Sequence, residues 1–259
     1  MAEPAPAYLL DVRNVSKRFG GLTAVRNVSL QVPAGTVYGL IGPNGAGKTT
    51  VFNLLTGVYA PTDGQILFDG TPIHGRRPHQ IARYGITRTF QNIRLFSDMT
   101  VLENVMTAHH LRTAQNIFDA IVGTGRSHRE EREMRERAMH LLSIFGLAGL
   151  ADEPATSLPY GSQRRLEIAR ALATRPRLLL LDEPAAGMNP QEAVGLMDTI
   201  RWIRDEFSLT VLLVEHNMKV VMGICETIQV IDHGESIATG TPAEIQSNPR
   251  VIEAYLGAC

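Results

Sequence analysis

The sequence predicts an α/β fold built around a parallel sheet, and three observations lead there. Two short apolar runs without alternation, RLLLL at 177–181 and TVLLV at 210–214, are joined by a helix-patterned stretch over 190–207. Runs of that kind are strands buried on both faces, the condition of a parallel sheet. A third run, TVYGLI at 36–41, ends in a glycine-rich loop, GPNGAGKT at 42–49, and helical spacing begins at once. Strand, glycine loop and helix in that order place a helix N-terminus where phosphate groups bind.

The remaining elements follow in chain order. Between residues 8 and 32 the runs YLLDVRNV and VSLQV read as β-strands. A short helix is expected over 48–56, where Val51, Leu54 and Leu55 share one face and Gly57 stands past the end. QILFDG at 65–70 and ITRTF at 86–90 add strands, with a short helix over 79–84 between them. From about 100 to 147 the spacing is helical, which marks a candidate second lobe. Its charged stretch, 126–137, sets Glu131 and Glu133 four residues ahead of Arg135 and Arg137, the favourable order for ion pairs on a solvated helix face. A further helix is expected over 163–174, and IQVID and ESIATG flank His233-Gly234 as a tight hairpin.

Composition narrows the function classes. The 259 residues are 44% hydrophobic and 20% charged, so a large core is available and disorder as the main state is excluded. With 25 basic against 26 acidic side chains there is no general attraction to nucleic acid or acidic lipid. Two cysteines, Cys225 and Cys259, are too few for a disulfide framework and lack zinc-site spacing, which fits a reducing, cytosolic compartment. There is no run of 18 apolar residues, and the first eight residues lack a basic start and an apolar stretch. Neither a signal peptide nor a membrane span is expected, so any membrane role goes through a partner.

The chemistry concentrates at four places. In the loop at 42–49, Gly42, Gly45 and Gly47 let successive backbone N–H groups turn onto a phosphate, with Pro43, Asn44 and Ala46 between them. Lys48 then reaches the β- and γ-phosphates, the Thr49 hydroxyl ligates magnesium, and Thr50 continues the helix N-terminus. Asp182 and Glu183 follow the apolar strand directly, at the carboxyl end where α/β sheets bind ligands. Two carboxylates suit nucleoside triphosphate hydrolysis, one to hold Mg²⁺ and one to take a proton from water. His216 ends the next strand, VLLVEH, beside the acidic pair, and Gln91 follows ITRTF.

Taken together, GPNGAGKT, Gln91, LPYGSQRRLEIARAL at 158–172, LLLLDEP at 178–184 and His216 resemble the ordered motifs of the ATP-binding subunits of ABC transporters. The resemblance spans nearly the whole chain. It is most specific to the subunits of branched-chain amino-acid importers, through GGLTAV, TRTFQNIRLFSDMTVLENV, DEPAAGMNP, EHNMKVVMGI and NPRVIEAYLG. Subunits of urea and short-chain amide importers are similar.

The resemblance implies a P-loop NTPase, with a RecA-like parallel-sheet core, an N-terminal antiparallel β subdomain and a helical lobe carrying the signature loop. It implies one ABC ATPase domain over 1–259, with a nucleotide-binding lobe at 1–92 and 175–259 and a helical lobe at 93–174. Residue by residue, Phe19 would stack on adenine, and Gln91 would contact Mg²⁺ or the attacking water. Asp182 would bind the metal beside Thr49, Glu183 would be the general base, and His216 would sense the γ-phosphate. Gly161 and Ser162, in the signature loop at 158–162, would meet the γ-phosphate of ATP held by a second protomer, and 187–189 would be a dimer-interface loop. The loop departs from the common L-S-G-G-Q: Pro159, Tyr160 and Ser162 stand at its second, third and fifth positions. Pro159 removes a hydroxyl and an N–H, while Gly161 and the following helix start remain.

The function so implied is an ATPase that energises import of branched-chain or related small amino acids, with ATP and Mg²⁺ as cofactors. Its expected partners are membrane permease subunits, a second ATP-binding subunit and, indirectly, an extracytoplasmic solute-binding protein. It would sit at the cytoplasmic face of the inner membrane. The alternatives are a urea or amide importer subunit, or a non-transport ABC ATPase acting on nucleic acid or ribosomes. The absence of an inserted coiled coil or a second ATPase domain, and the balanced charge, disfavour the latter. The segment at 92–99, with Ile93, Leu95 and Phe96, is expected to contact the membrane subunits.

Overall fold

A computed structural model describes residues 8–91, 93–109 and 125–256. The chain divides into two compact units, Met1–Arg88 with Arg177–Cys259, and Thr89–Pro176.

The first unit holds two sheets. One is antiparallel, formed by β1 (Leu10–Phe19), β2 (Leu22–Val32), β4 (Asp63–Phe68) and β5 (Thr71–Pro72), in the order β2-β1-β4-β5. β1 shifts register between Val12 and Val15, where Asn14 takes a φ of 47°. Such a bulge tightens the local twist. The other sheet has six strands in the order β10-β9-β3-β8-β7-β6: β3 (Val37–Ile41), β6 (Ile86–Arg88), β7 (Leu178–Asp182), β8 (Thr210–Val214), β9 (Thr227–Asp232) and β10 (Glu235–Gly240). β6, β7, β8, β3 and β9 run parallel, and only β10 is antiparallel to its neighbour. Every residue of β3, β7 and β8 is buried, which is why their sequences are apolar without alternation.

Helices connect the parallel strands, as their geometry requires. α1 (Lys48–Leu55) buries Val51, Phe52, Leu54 and Leu55. α6 (Pro190–Glu206) opens on an Asn189–Glu192 capping box with proline at its first turn, and α7 (Met218–Ile224) is capped by Asn217. α2 (Pro78–Tyr84) precedes β6; α8 (Pro242–Gln246) and α9 (Pro249–Leu256) close the chain. The β9–β10 hairpin turns on His233 and Gly234 with φ of 44° and 81°, the paired left-handed residues of a two-residue turn.

The second unit is helical: α3 (Val101–His109), α4 (Gly125–Ile144) and α5 (Tyr160–Ala173). Val101, Leu102, Val105, Leu141, Leu142, Leu166 and Ile168 are buried in it. A Thr100–Glu103 capping box starts α3. On the exposed face of α4, Glu133 and Arg137 form the expected pair at 3.6 Å.

Among the boundaries that differ from the sequence reading, two are explained by specific residues. The strand expected over 86–90 ends at Arg88, because the Phe90 N–H donates to the Glu167 carboxylate and its carbonyl accepts from Arg164, so neither joins a ladder. The helix expected from 163 starts at Tyr160, three residues earlier, with Pro159 as its cap. Proline is compatible with a helix start, where its missing N–H costs no internal bond. The short strand β5 and helices α7 to α9 also go beyond the elements read from sequence.

Candidate nucleotide site

The glycine loop is held open by its neighbours in the first unit. A Cβ on Gly42, whose φ is 155°, would lie 2.0 Å from the Ile231 carbonyl oxygen, and one on Gly47 would lie 2.7 Å from that of Ala24. Only glycine fits where the loop passes between β2 and the β9–β10 hairpin. The hairpin fastens it: the Gly234 N–H donates to the Ala46 carbonyl at 3.0 Å, and the Arg26 N–H donates to the Gly234 carbonyl at 2.8 Å. The Ala46 N–H closes a turn on the Pro43 carbonyl, and Gly47 caps α1 with a left-handed φ of 102°. Asn44, Gly45 and Thr49 are exposed, and Thr50 is partly so. The first N–H groups of α1 have no intrahelical acceptor and point out along the axis with the positive end of the helix dipole. That is an anion site made of backbone.

Lys48 supplies the fixed charge. It is buried, and its ammonium donates to the carbonyls of Gly42 at 2.7 Å and Pro43 at 2.8 Å. Desolvation lowers its pKa, and the nearby charges of Glu183 and Asp182 oppose that shift. Both carboxylates are therefore close enough for their charges to act on the lysine.

Both acids stand at the carboxyl end of β7. Asp182 is buried and pairs with Arg88 at 2.6 Å, and the same guanidinium donates to the Asn53 side chain at 2.7 Å and lies over the Phe52 ring. Glu183 takes a φ of 48°, uncommon for a residue with a side chain, while its N–H donates to the Val214 carbonyl at 2.8 Å. His216 Nε2 lies 2.8 Å from Glu183 Oε1. Glu215 sets this geometry. It is buried, one of its oxygens accepts the Ala185 N–H at 2.6 Å, and the other accepts those of His216 at 2.9 Å and Asn217 at 3.1 Å. It thus ties the turn after β7 to the end of β8. Hard oxygen donors, the Asp182 carboxylate and the Thr49 hydroxyl, suit magnesium, which takes one or two protein ligands and fills its octahedron with phosphate and water.

The other residues singled out from sequence are also located. Phe19 ends β1, half exposed, edge-on to Tyr59 at 5.1 Å with the Lys17 ammonium 5.1 Å from its ring. In the second unit Gln91 is exposed, and its carbonyl accepts from Arg164. At the start of α5, the N–H groups of Ser162 and Gln163 donate to the Pro159 carbonyl, and the Ser162 hydroxyl accepts from Arg165 at 3.0 Å. Gly187, with a φ of 75°, turns the chain into the Asn189 cap of α6. Phe96 is exposed, its backbone held at both ends by the buried Asn104 side chain, and Ile93 and Leu95 are partly buried. Asn92 lies outside the described residues.

Sequence reasoning missed Arg88, Glu215 and Tyr255. The Tyr255 hydroxyl, on α9, lies near the Gly42 backbone, and burial pushes its pKa up to about 12. A signal existed for Glu215, a charge directly after an apolar strand.

Comparison with known proteins finds similar sequences and structures. Residues 25–186 match the model of the ABC transporter family, and 235–258 match that of the branched-chain amino acid ATP-binding cassette transporter. The chain is 51% identical to the high-affinity branched-chain amino acid transport ATP-binding protein BraF of Pseudomonas aeruginosa, over 96% of this chain and 98% of that one. It is 49% identical to LivG of Escherichia coli, of the same description, with the same coverage. Among solved structures, an ATP-binding cassette of an ABC transporter in its ADP conformation superposes with a TM-score of 0.83 at 31% identity, covering 96% of this chain and 99% of that one. A dimeric cassette in a post-hydrolysis state with ADP and Pi gives 0.76 at 26% identity, covering 90% and 98%.

Proposed function

The chain belongs to the ABC transporter family, and we propose that it is the ATP-hydrolysing subunit of an importer that carries branched-chain amino acids through partner membrane subunits. The observation that carries the ATPase is the meeting of a buried lysine, a backbone anion site and two strand-end carboxylates around one space. The substrate rests on the relatives of nearly equal length, whose descriptions name branched-chain amino acids. No described helix is long and apolar enough to cross a membrane. The subunit works at the cytoplasmic face, attached through the permease, with the solute-binding protein on the other side and no nucleic acid as partner.

The steps assign roles to this chain's residues. Phe19 stacks on adenine, and the N–H groups of residues 42–50 with Lys48 hold the triphosphate. Magnesium, when bound, neutralises phosphate charge beside Thr49, Asp182 and Gln91. Glu183 accepts the proton of a water as its oxygen forms the new bond to the γ-phosphorus and the bond to the ADP oxygen breaks. His216, within hydrogen-bond distance of Glu183, orients that carboxylate and meets the γ-phosphate. Gly161 and Ser162 close on the nucleotide of a second ATP-binding subunit, with 187–189 at the seam. The core lobe, 1–92 with 175–259, binds nucleotide, and the helical lobe, 93–174, carries the signature.

The test is transport. The chain, reconstituted in vesicles with its permease and binding protein, should drive ATP-dependent uptake of labelled leucine that excess urea does not inhibit. ATP-dependent uptake of urea with none of leucine overturns the substrate, and leucine uptake indifferent to ATP overturns the coupling.

A further inference from the structure

Helix α5 carries two charges where a helix core holds none. The Arg164 side chain is fully buried and that of Glu167 is 2% exposed, and they pair at 2.8 Å. Buried charge is tolerated when its lone pairs and N–H groups are used, and here the backbone of an irregular loop takes most of them, with the Arg164 Nε left without a partner among the described residues. Arg164 donates to the carbonyls of Phe90 at 2.6 Å and Gln91 at 2.7 Å, and Glu167 accepts the Phe90 N–H at 3.1 Å. The same guanidinium reaches back to the Tyr160 hydroxyl at 3.3 Å, in the first turn of the helix. All of these residues lie in the second unit.

We propose that the Arg164–Glu167 pair is a positioning device that clamps the main chain of Phe90–Gln91 to the start of α5. The clamp rests on the roles given above to Gln91 and the signature loop. Moving the loop away from the helix would strip three charge-assisted hydrogen bonds and leave two charges in an apolar interior. The exposed Gln91 side chain and the loop of Pro159 to Ser162 therefore travel as one body. On those proposed roles one of them serves the chain's own nucleotide and the other the partner's, so in a dimer the occupancy of one site would reach the other through this guanidinium.

Replacing both charges by apolar groups of similar volume separates positioning from stability, since buried ion pairs so replaced commonly leave a protein as stable. The variant Arg164→Met/Glu167→Leu should melt near wild type and bind ATP in EDTA within about 2-fold, yet hydrolyse MgATP roughly 10-fold more slowly at saturation. Glu167→Gln, whose amide oxygen still accepts the Phe90 N–H, should fall between. A folded double variant with wild-type kcat overturns the clamp. If the double variant does not fold, Glu167→Gln decides: wild-type stability with wild-type kcat overturns the clamp, and wild-type stability with reduced kcat supports it. Gln91→Ala tells the two readings apart. Wild-type turnover in Gln91→Ala removes the role given to that side chain and the clamp with it, whereas a slow Gln91→Ala beside a double variant at the wild-type rate removes only the clamp.

Discussion

Arg88 neutralises the carboxylate that the proposed mechanism gives to magnesium, which makes Arg88→Met a test of both. The pair is buried on both sides at 2.6 Å, and removing one partner of such a pair costs about 3–5 kcal/mol. The lower end applies, because Lys48 also feels the Asp182 charge and the Phe52 contact survives in a methionine stem. For a chain of this length 1 kcal/mol moves the unfolding midpoint by about 2–4 °C, so a drop of roughly 6–12 °C is expected without nucleotide. With MgATP the wild type must share or break the Arg88 pair as the metal arrives, and the variant need not. The drop should then shrink to less than about half, since a ligand that favours one folded form raises its stability by mass action. The assay is thermal unfolding of both proteins alone, with ATP in EDTA, and with MgATP. An equal drop in all three conditions refutes the shared carboxylate, and no drop in any refutes the stabilising pair.

Other perturbations have equally direct readouts. Glu183→Gln should bind ATP normally and lose about 10²-fold or more in steady-state hydrolysis, measured as phosphate release, because an amide cannot take the proton; turnover within a few fold of wild type removes Glu183 as base. Phe96→Ala should cost about 1 kcal/mol or less, the worth of an exposed ring under a guanidinium, here that of Arg170. The same variant should lose co-purification with the membrane subunits, and a collapse in melting temperature with normal co-purification would make the ring structural. Cys225 has its thiol pushed up to about 12 by burial and then by the charges of Glu226 and Glu215. Peptide mapping after treatment of the native protein with iodoacetamide near pH 8 should find it unmodified and find it alkylated in denaturant, since the thiolate is the reactive form.

The parts legible in the sequence are those whose physics is local. LLLL before Asp182 and LL before Val214 state their burial outright, and a glycine loop before a helix states its ligand. The hairpin was readable from His233-Gly234 for the same reason. The end of β6 was not, because Thr89 and Phe90 have strand-like side chains while the groups that capture the Phe90 backbone sit more than seventy residues away. Arg88 and Arg164 escaped likewise: each is a charge whose partner only the fold reveals. Helices α8 and α9 carried signals, the Thr241–Glu244 capping box and prolines at 242 and 249, but their shortness hid them.

The left-handed backbone of Glu183 puts stability and activity in conflict at a single residue. A residue with a Cβ held at a φ of 48° carries strain of about 1 kcal/mol that glycine does not feel and asparagine feels less. Directed evolution of this chain for heat resistance alone would therefore enrich Glu183→Gly or Glu183→Asn, and would discard the proposed base in doing so. A library scored on survival of the fold would lead away from function here, and only one scored on phosphate release would keep the carboxylate in its strained place.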